Sequence, residues 1–291
     1  MSNPTATASP PAEQVWTKEI LPIQGWFHLP WRDLWYYRDL IVLLALRDVS
    51  ANYKQTLLGP LWFVIQPLLA TVFFSFLFGR MAQIGTDHLP HFLFYFSGFI
   101  LWQFFSECVN KTSNTFTRNA HIFGKVYFPR LAMPLSSVVT GMFTFVVQFT
   151  ILLVALGIYL GKGVNVAPNW RVIVTPGLLL LLTLLGLGLG CIISSLSTRY
   201  KDLGMGVGFG LQLWMFASSI VFPLSKISAD KQWILQLNPI VPIVEAFRFA
   251  FFGVGRVNLS TLAYSAVVCT GIFLLGILLF HRAERNVMDT V

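Results

Sequence analysis

The sequence predicts an all-α membrane protein: six transmembrane helices, an N-terminal amphipathic interface helix, and re-entrant outer helices between spans 5 and 6. Three observations predict this. Hydrophobic residues make up 55% of the chain and charged residues only 11%, where a soluble domain carries roughly 25% charged, so the surplus apolar surface needs lipid. Six separate stretches each supply the run of about 20 apolar residues that a bilayer crossing takes. The cationic residues between those stretches are unevenly shared, as in a protein oriented by an anionic leaflet. The net charge of +8 comes without a soluble basic module, which points to a membrane surface and away from nucleic acid.

Residues 1–31 are rich in proline and small polar residues, with no apolar core of signal-peptide length, and read as a disordered segment. Residues 32–57 follow as the interface helix. Placed at about 100° per residue, Leu34, Ile41, Val42, Ala45 and Val49 share one arc. Arg32, Asp33, Asp39 and Arg47 lie largely opposite, and Arg38 intrudes on the apolar arc and must snorkel. Residues 58–281 hold the six spans: 58–79, 91–109, 134–160, 172–196, 203–222 and 259–280. An even number puts both termini on one side. With that side cytoplasmic, thirteen of the 20 Lys and Arg fall inside and seven outside, which favours this orientation. Residues 282–291 form a cytoplasmic tail.

Two connections stand out. Residues 110–130, NKTSNTFTRNAHIFGKVYFPR, are polar and basic with interspersed aromatics, and predict a short helix presenting an aromatic knob to a soluble partner. Residues 223–258 are too broken to span. Asn238-Pro239 splits them into two short apolar runs, and Glu245 and Arg248 are placed to pair on one helical face. Glycines in the fourth and fifth spans (Gly186, Gly188, Gly190; Gly204, Gly206, Gly208, Gly210) sit inside apolar helices rather than after a strand. They predict close helix packing or a hinge, not a nucleotide loop.

Little here supports catalysis. No GxxxxGK[ST] is present, the five histidines show no HExxH, and Cys108, Cys191 and Cys269 are isolated in apolar surroundings. Glu107 is the one ionisable residue clearly inside a span, with Lys111 four residues on to pair with. Aromatics dominate the first two spans, where Trp62, Phe63, Tyr95 and Trp102 could offer ring faces to a sugar.

From Arg47-Asp48 through Tyr53-Lys54, Thr56, Leu58-Gly59-Pro60-Leu61-Trp62 and Pro67, the chain resembles the membrane (permease) subunit of bacterial polysaccharide-exporting ATP-binding-cassette transporters, which handle O-antigen, capsule or teichoic acid. Arg199-Tyr200-Lys201-Asp202 and Asn238-Pro239 with Pro242 extend the likeness over roughly residues 32–285, while Asn52 departs from a position that is often basic in the family. The resemblance implies a homodimer in the bacterial inner membrane, paired with two separate ATPase subunits that hold ATP and Mg, so this chain binds no cofactor and is not itself an enzyme. It implies an ATPase-facing surface including Arg32, Arg38, Arg118, Phe123, Lys125 and Tyr127. The cargo would be a glycan on undecaprenyl diphosphate, met by Arg47 and Lys54 at the inner mouth. The first and fifth spans would part to open its path, past Trp62, Phe63, Tyr95, Trp102 and Glu107. An outer gate would include Trp233, Pro239, Glu245, Phe247, Arg248 and Phe251. Two alternatives share the layout: an exporter of another lipid or a drug, and a membrane enzyme acting on polyprenyl lipids, which would need clustered carboxylates at a membrane face.

Overall fold

A computed structural model describes residues 31–53, 56–123, 128–164, 166–255 and 257–288, and every regular element among them is helical. Two helices precede the bundle, α1 (Trp31–Tyr36) and α2 (Arg38–Tyr53). Then come α3 (Trp62–Phe74), running on as a π-helix over Ser75–Met81, α4 (His91–Ser113), α5 (Thr115–Phe123) and α6 (Ala132–Gly161). A 3-10 turn, Trp170–Val174, leads into α7 (Thr175–Ser197), followed by α8 (Lys201–Phe216), α9 (Ala229–Gln236), α10 (Ile240–Phe252) and α11 (Leu259–Met288).

Five of these are long and apolar enough to cross a bilayer: Trp62–Met81, His91–Ser113, Ala132–Gly161, Trp170–Ser197 and Leu259–Glu284. Counting the pair α9–α10 as one broken span, bent by 98°, gives a sixth. The expected fifth span, 203–222, runs from Asn114 at one end of α4 to Phe94 and Gly98 near the other, but it is helical over only part of that length. Its helix stops at Phe216 after 16 residues, about 24 Å at 1.5 Å per residue, short of a 30 Å hydrocarbon core. The chain continues irregularly through Ala217–Phe222. The last helix also overruns its expected end, so residues assigned to a tail continue α11 to Met288.

The core is built around α4. Leu93, Phe94, Tyr95, Phe96, Phe99, Trp102, Phe104 and Phe105 are all buried, and the helix touches α3, α6, α7, α8 and α10. A helix apolar on every side belongs at the centre of a bundle. Glycines bring α7 to its neighbours. A Cβ on Gly190 would collide with the Thr112 side chain of α4, and one on Gly186 would lie 2.8 Å from Cys108. On the other face, a Cβ on Gly188 would meet the α11 backbone at Phe273 at 2.7 Å, and one on Gly276 would run into the Gly188 carbonyl. These contacts are the close packing that small residues permit. The glycines of α8 behave differently: Gly206, Gly208 and Gly210 have nothing within 4 Å, and Met205, Phe209 and Leu213 are exposed.

Of the residues placed on the apolar arc of the N-terminal helix, Leu34, Ile41 and Ala45 are buried and Val42 is exposed. One turn residue, Tyr37, separates α1 from α2, with i to i−4 bonds continuing through it. Off the arc, Leu44 is buried while Leu43 and Leu46 are exposed. Apolar side chains therefore surround α2. One side packs against α6 beside Phe128, Ala132 and Met133.

Gly190→Val should crowd Thr112 and cost about 1–3 kcal/mol through overpacking, read as a lowered unfolding temperature in detergent. Gly206→Ala should leave that temperature unchanged or raise it slightly. Equal behaviour of the two variants would contradict the α4–α7 contact.

Candidate functional site

Three places in the bundle combine polar groups with elements that could move. The first lies at the end where the two described termini meet. Leu34 of α1, Phe116 of α5, Leu131 at the start of α6, Cys191 of α7, and Phe280 and Ala283 of α11 form one buried cluster. Phe116 stacks on Phe280 with ring centroids 4.6 Å apart. Arg130, buried, donates from Nη1 to the Glu284 carbonyl at 3.2 Å and lies 3.8 Å from its carboxylate. His281 Nδ1 is 3.4 Å from the other Glu284 oxygen. The segment between α4 and α6 is thus clamped to the end of α11 and to the helices ahead of α3.

The second place is the α3–α6 contact. Proline has no N–H, so Pro67 inside α3 leaves the carbonyl four residues back, that of Phe63, without its helical partner. The buried Gln148 of α6 supplies one, donating from Nε2 to the Phe63 oxygen at 3.0 Å. Thr71 of α3, also buried, donates to the Pro67 carbonyl at 2.7 Å. A carbonyl freed by proline in a helix surrounded by lipid needs such a donor.

The third place is the irregular stretch after α8. Ser219 has a positive φ of 55°, uncommon for a residue with a Cβ. Arg248 of α10, 2% exposed, donates to the carbonyls of Ser219 (2.7 Å), Ile220 (3.2 Å) and Phe94 (3.2 Å). Its guanidinium carbon lies 3.7 Å from the Phe94 ring centroid, a cation–π contact. Glu245 Oε1 is 3.6 Å away and accepts from Ser219 Oγ at 2.9 Å. Asn238 donates to the Ala217 carbonyl at 2.9 Å while its Oδ1 accepts from the Ile240 N–H, capping α10. Gly98 makes the approach of Arg248 possible, since a Cβ there would stand 2.9 Å from Nη2.

These contacts place the residues expected at a gate, a path or an ATPase surface. Glu245, Phe247, Arg248 and Phe251 are buried. The two rings pack against Phe149 of α6, and the ion pair supports backbone. Pro239 opens α10, and Trp233 of α9 is 60% exposed. Of the path candidates, Tyr95 and Trp102 are buried in the core and Phe63 packs edge-on against Phe143; Trp62 is half-buried. Glu107 pairs with Lys111 at 2.6 Å. Arg47 is exposed and bound to its neighbour Asp48 at 2.9 Å. Arg38 is exposed, 3.6 Å from Asp39, with its guanidinium 5.4 Å from the Trp35 ring. Arg118 is exposed on α5. Arg32 lies in α1 and Phe123 ends α5. Lys54, Lys125 and Tyr127 lie outside the described residues. Of the aromatics expected in the knob, Phe116 and Phe128 point into buried clusters. Sequence reasoning missed Gln148, although Pro67 and a lone glutamine in an apolar helix were both in view. No group of three potential metal ligands comes together among the described residues.

A family model described as ABC-2 type transporter matches residues 39–252. The chain is 30% identical over 223 residues to the O-antigen export system permease protein RfbA of Myxococcus xanthus, covering 76% of this chain and 83% of that one. A protein of the same name from Klebsiella pneumoniae is 27% identical over 255 residues, 87% of this chain and 95% of that one. The polysialic acid transport protein KpsM of Escherichia coli is 22% identical over 250 residues, covering 85% and 94%.

Arg248→Met should destabilise the chain by about 3–5 kcal/mol, because it strands the Glu245 carboxylate and three carbonyls in the interior; thermal unfolding in detergent measures this. Gln148→Leu should cost about 1–2 kcal/mol by leaving the Phe63 carbonyl unpaired. In a Pro67→Ala background the restored N–H takes that carbonyl, so the same substitution should cost much less. Additive effects in that double-mutant cycle would refute the link.

Proposed function

The chain belongs to the ABC-2 type transporter family, and from that premise we propose that it is the membrane permease of an ATP-driven exporter that moves a polysaccharide on undecaprenyl diphosphate across the bacterial inner membrane. Relatives named for O-antigen export and polysialic acid transport support the cargo class. In this reading the chain carries out no chemistry of its own. Two ATPase subunits hold ATP and Mg and supply the work.

The observation that carries the reading is the convergence at one end of the bundle. The helices ahead of α3, the α5 segment and the end of α11 meet there around Phe116, Phe280 and the Arg130–Glu284 pair. That end is the cytoplasmic one in this proposal, in keeping with the positive-inside bias. An ATPase gripping it, with Arg32, Arg38, Arg118, Phe123, Lys125 and Tyr127 on the gripped surface, would push on several spans together. Arg47 and Lys54 would meet the lipid diphosphate by charge-assisted hydrogen bonds.

The bare side of α8 and the exposed apolar residues Leu69 and Phe73 of α3 are the surfaces that a second copy and the glycan would share. Gating follows as a separation of α3 from α8, with Pro67 letting α3 bend. The 98° turn between α9 and α10 would lie at the outer mouth as a re-entrant hairpin, with Trp233 at its surface and the Glu245–Arg248 pair fixing its base.

Deleting the gene should remove the polymer from the cell surface and leave it lipid-linked inside, detected by immunoblot of surface and cytoplasmic fractions. Normal surface polymer in a strain without a second exporter would overturn the proposal.

A further inference from the structure

The opposite end of the bundle holds a cavity that the transport reading does not use. It has a volume of about 530 Å³ and lies between the end of α3, the start of α4 and the end of α6. Val72, Phe76, Pro90 and Phe92 supply apolar walls, while Ser75, Arg80, His91 and Tyr159 supply polar groups.

The local structure builds this combination. The π-helix over Ser75–Met81 widens the turn, and such turns recur at functional sites. Ser75 sits where α3 changes into it, and its Oγ is buried without a hydrogen-bond partner among the described residues. Gly79 admits the His91 ring, because a Cβ there would collide with Cδ2 of that ring. Arg80, exposed beside it, has no carboxylate partner among the described residues. Phe92 stacks on Phe96, with centroids 5.4 Å apart, which fixes one wall. Val72 and Phe76, which line the cavity, are more than half exposed, so the α3 wall beside α6 continues onto the outer apolar side of the bundle, where lipid acyl chains run.

A permanent cation, an imidazole and a phenol above an apolar groove suit an amphiphile with an anionic head. Arginine is well matched to a phosphate, and the groove is matched to the first methylenes of an acyl chain. We propose that this cavity binds a bilayer phospholipid by its phosphate, with Arg80 as the principal contact and the α3 wall against one acyl chain. The proposal requires that the bundle sits in a bilayer with the α3–α6 flank toward lipid, and it stands whichever end faces the cytoplasm and whatever the cargo is.

Native mass spectrometry of the full chain in detergent, with added lipid, tests it. Phosphatidylglycerol should remain bound where diacylglycerol of the same chains does not. Removing one cation that meets an anionic headgroup should lower retention about fivefold in Arg80→Gln, while Arg80→Lys keeps most of it. Arg171→Gln, at another exposed arginine, should leave retention unchanged and controls for loss of net charge. Equal retention of phosphatidylglycerol and diacylglycerol, or a loss in Arg171→Gln as large as in Arg80→Gln, would overturn the site. Displacement of the lipid by millimolar inorganic phosphate would assign the pocket to a free anion instead, and displacement by a polyprenyl phosphate at equal concentration would assign it to a carrier lipid. Either result would overturn the phospholipid assignment.

Discussion

Every backbone carbonyl and N–H that leaves a helix away from water must find another partner, and this constraint organises the bundle. In two places buried backbone carbonyls lack their helical partners, at Phe63 four residues before Pro67 and after Phe216. In each, a polar side chain from a different helix supplies the missing donors: Gln148 to Phe63, and Arg248 with Asn238 to the stretch from Ala217 to Ile220. These side chains also join helices. Gln148 fixes α6 against α3, and Arg248 ties α10 both to the end of α8 and to Phe94 of α4. Removing a donor therefore exposes a backbone group and loosens a helix pair together.

Much of the fold was legible because membrane thickness imposes a length. Four of the crossings, near 91–109, 134–160, 172–196 and 259–280, are continuous apolar runs bounded by polar residues, and each reappears as a helix within a few residues of its expected limits, except that α11 runs on to Met288. The fifth run was only partly legible because hydropathy does not see backbone conformation. Ala217–Phe222 continues the apolar run, but its carbonyls at Ala217, Ser219 and Ile220 accept from Asn238 and Arg248. The N-terminal helices were partly legible for a similar reason. A projection puts the buried Leu34, Ile41 and Ala45 on one arc, but it also puts the exposed Val42 there and does not say which neighbour covers the rest.

The functional residues divide in the same way. Glu107 and Lys111 are four apart on one helix, so their pairing could be read directly. The Glu245–Arg248 spacing was equally plain, yet its role was not, because the carbonyls that Arg248 serves are 28, 29 and 154 residues away. Arg130 and Glu284 are likewise 154 residues apart. The aromatics of α4 look alike in sequence, and only packing separates a central ring such as Tyr95 from one that could face a path.

The Pro67–Gln148 contact also bears on how such a chain can change over generations. With the proline in place, glutamine at 148 has a carbonyl to serve. Without it, the carboxamide would sit in the bundle with no such partner, a cost with nothing set against it. Each residue is tolerable because the other is present, so single replacements at either position pass through a less stable intermediate. The two sites form one heritable unit, and a lineage that straightens α3 is expected to lose the glutamine along with the proline.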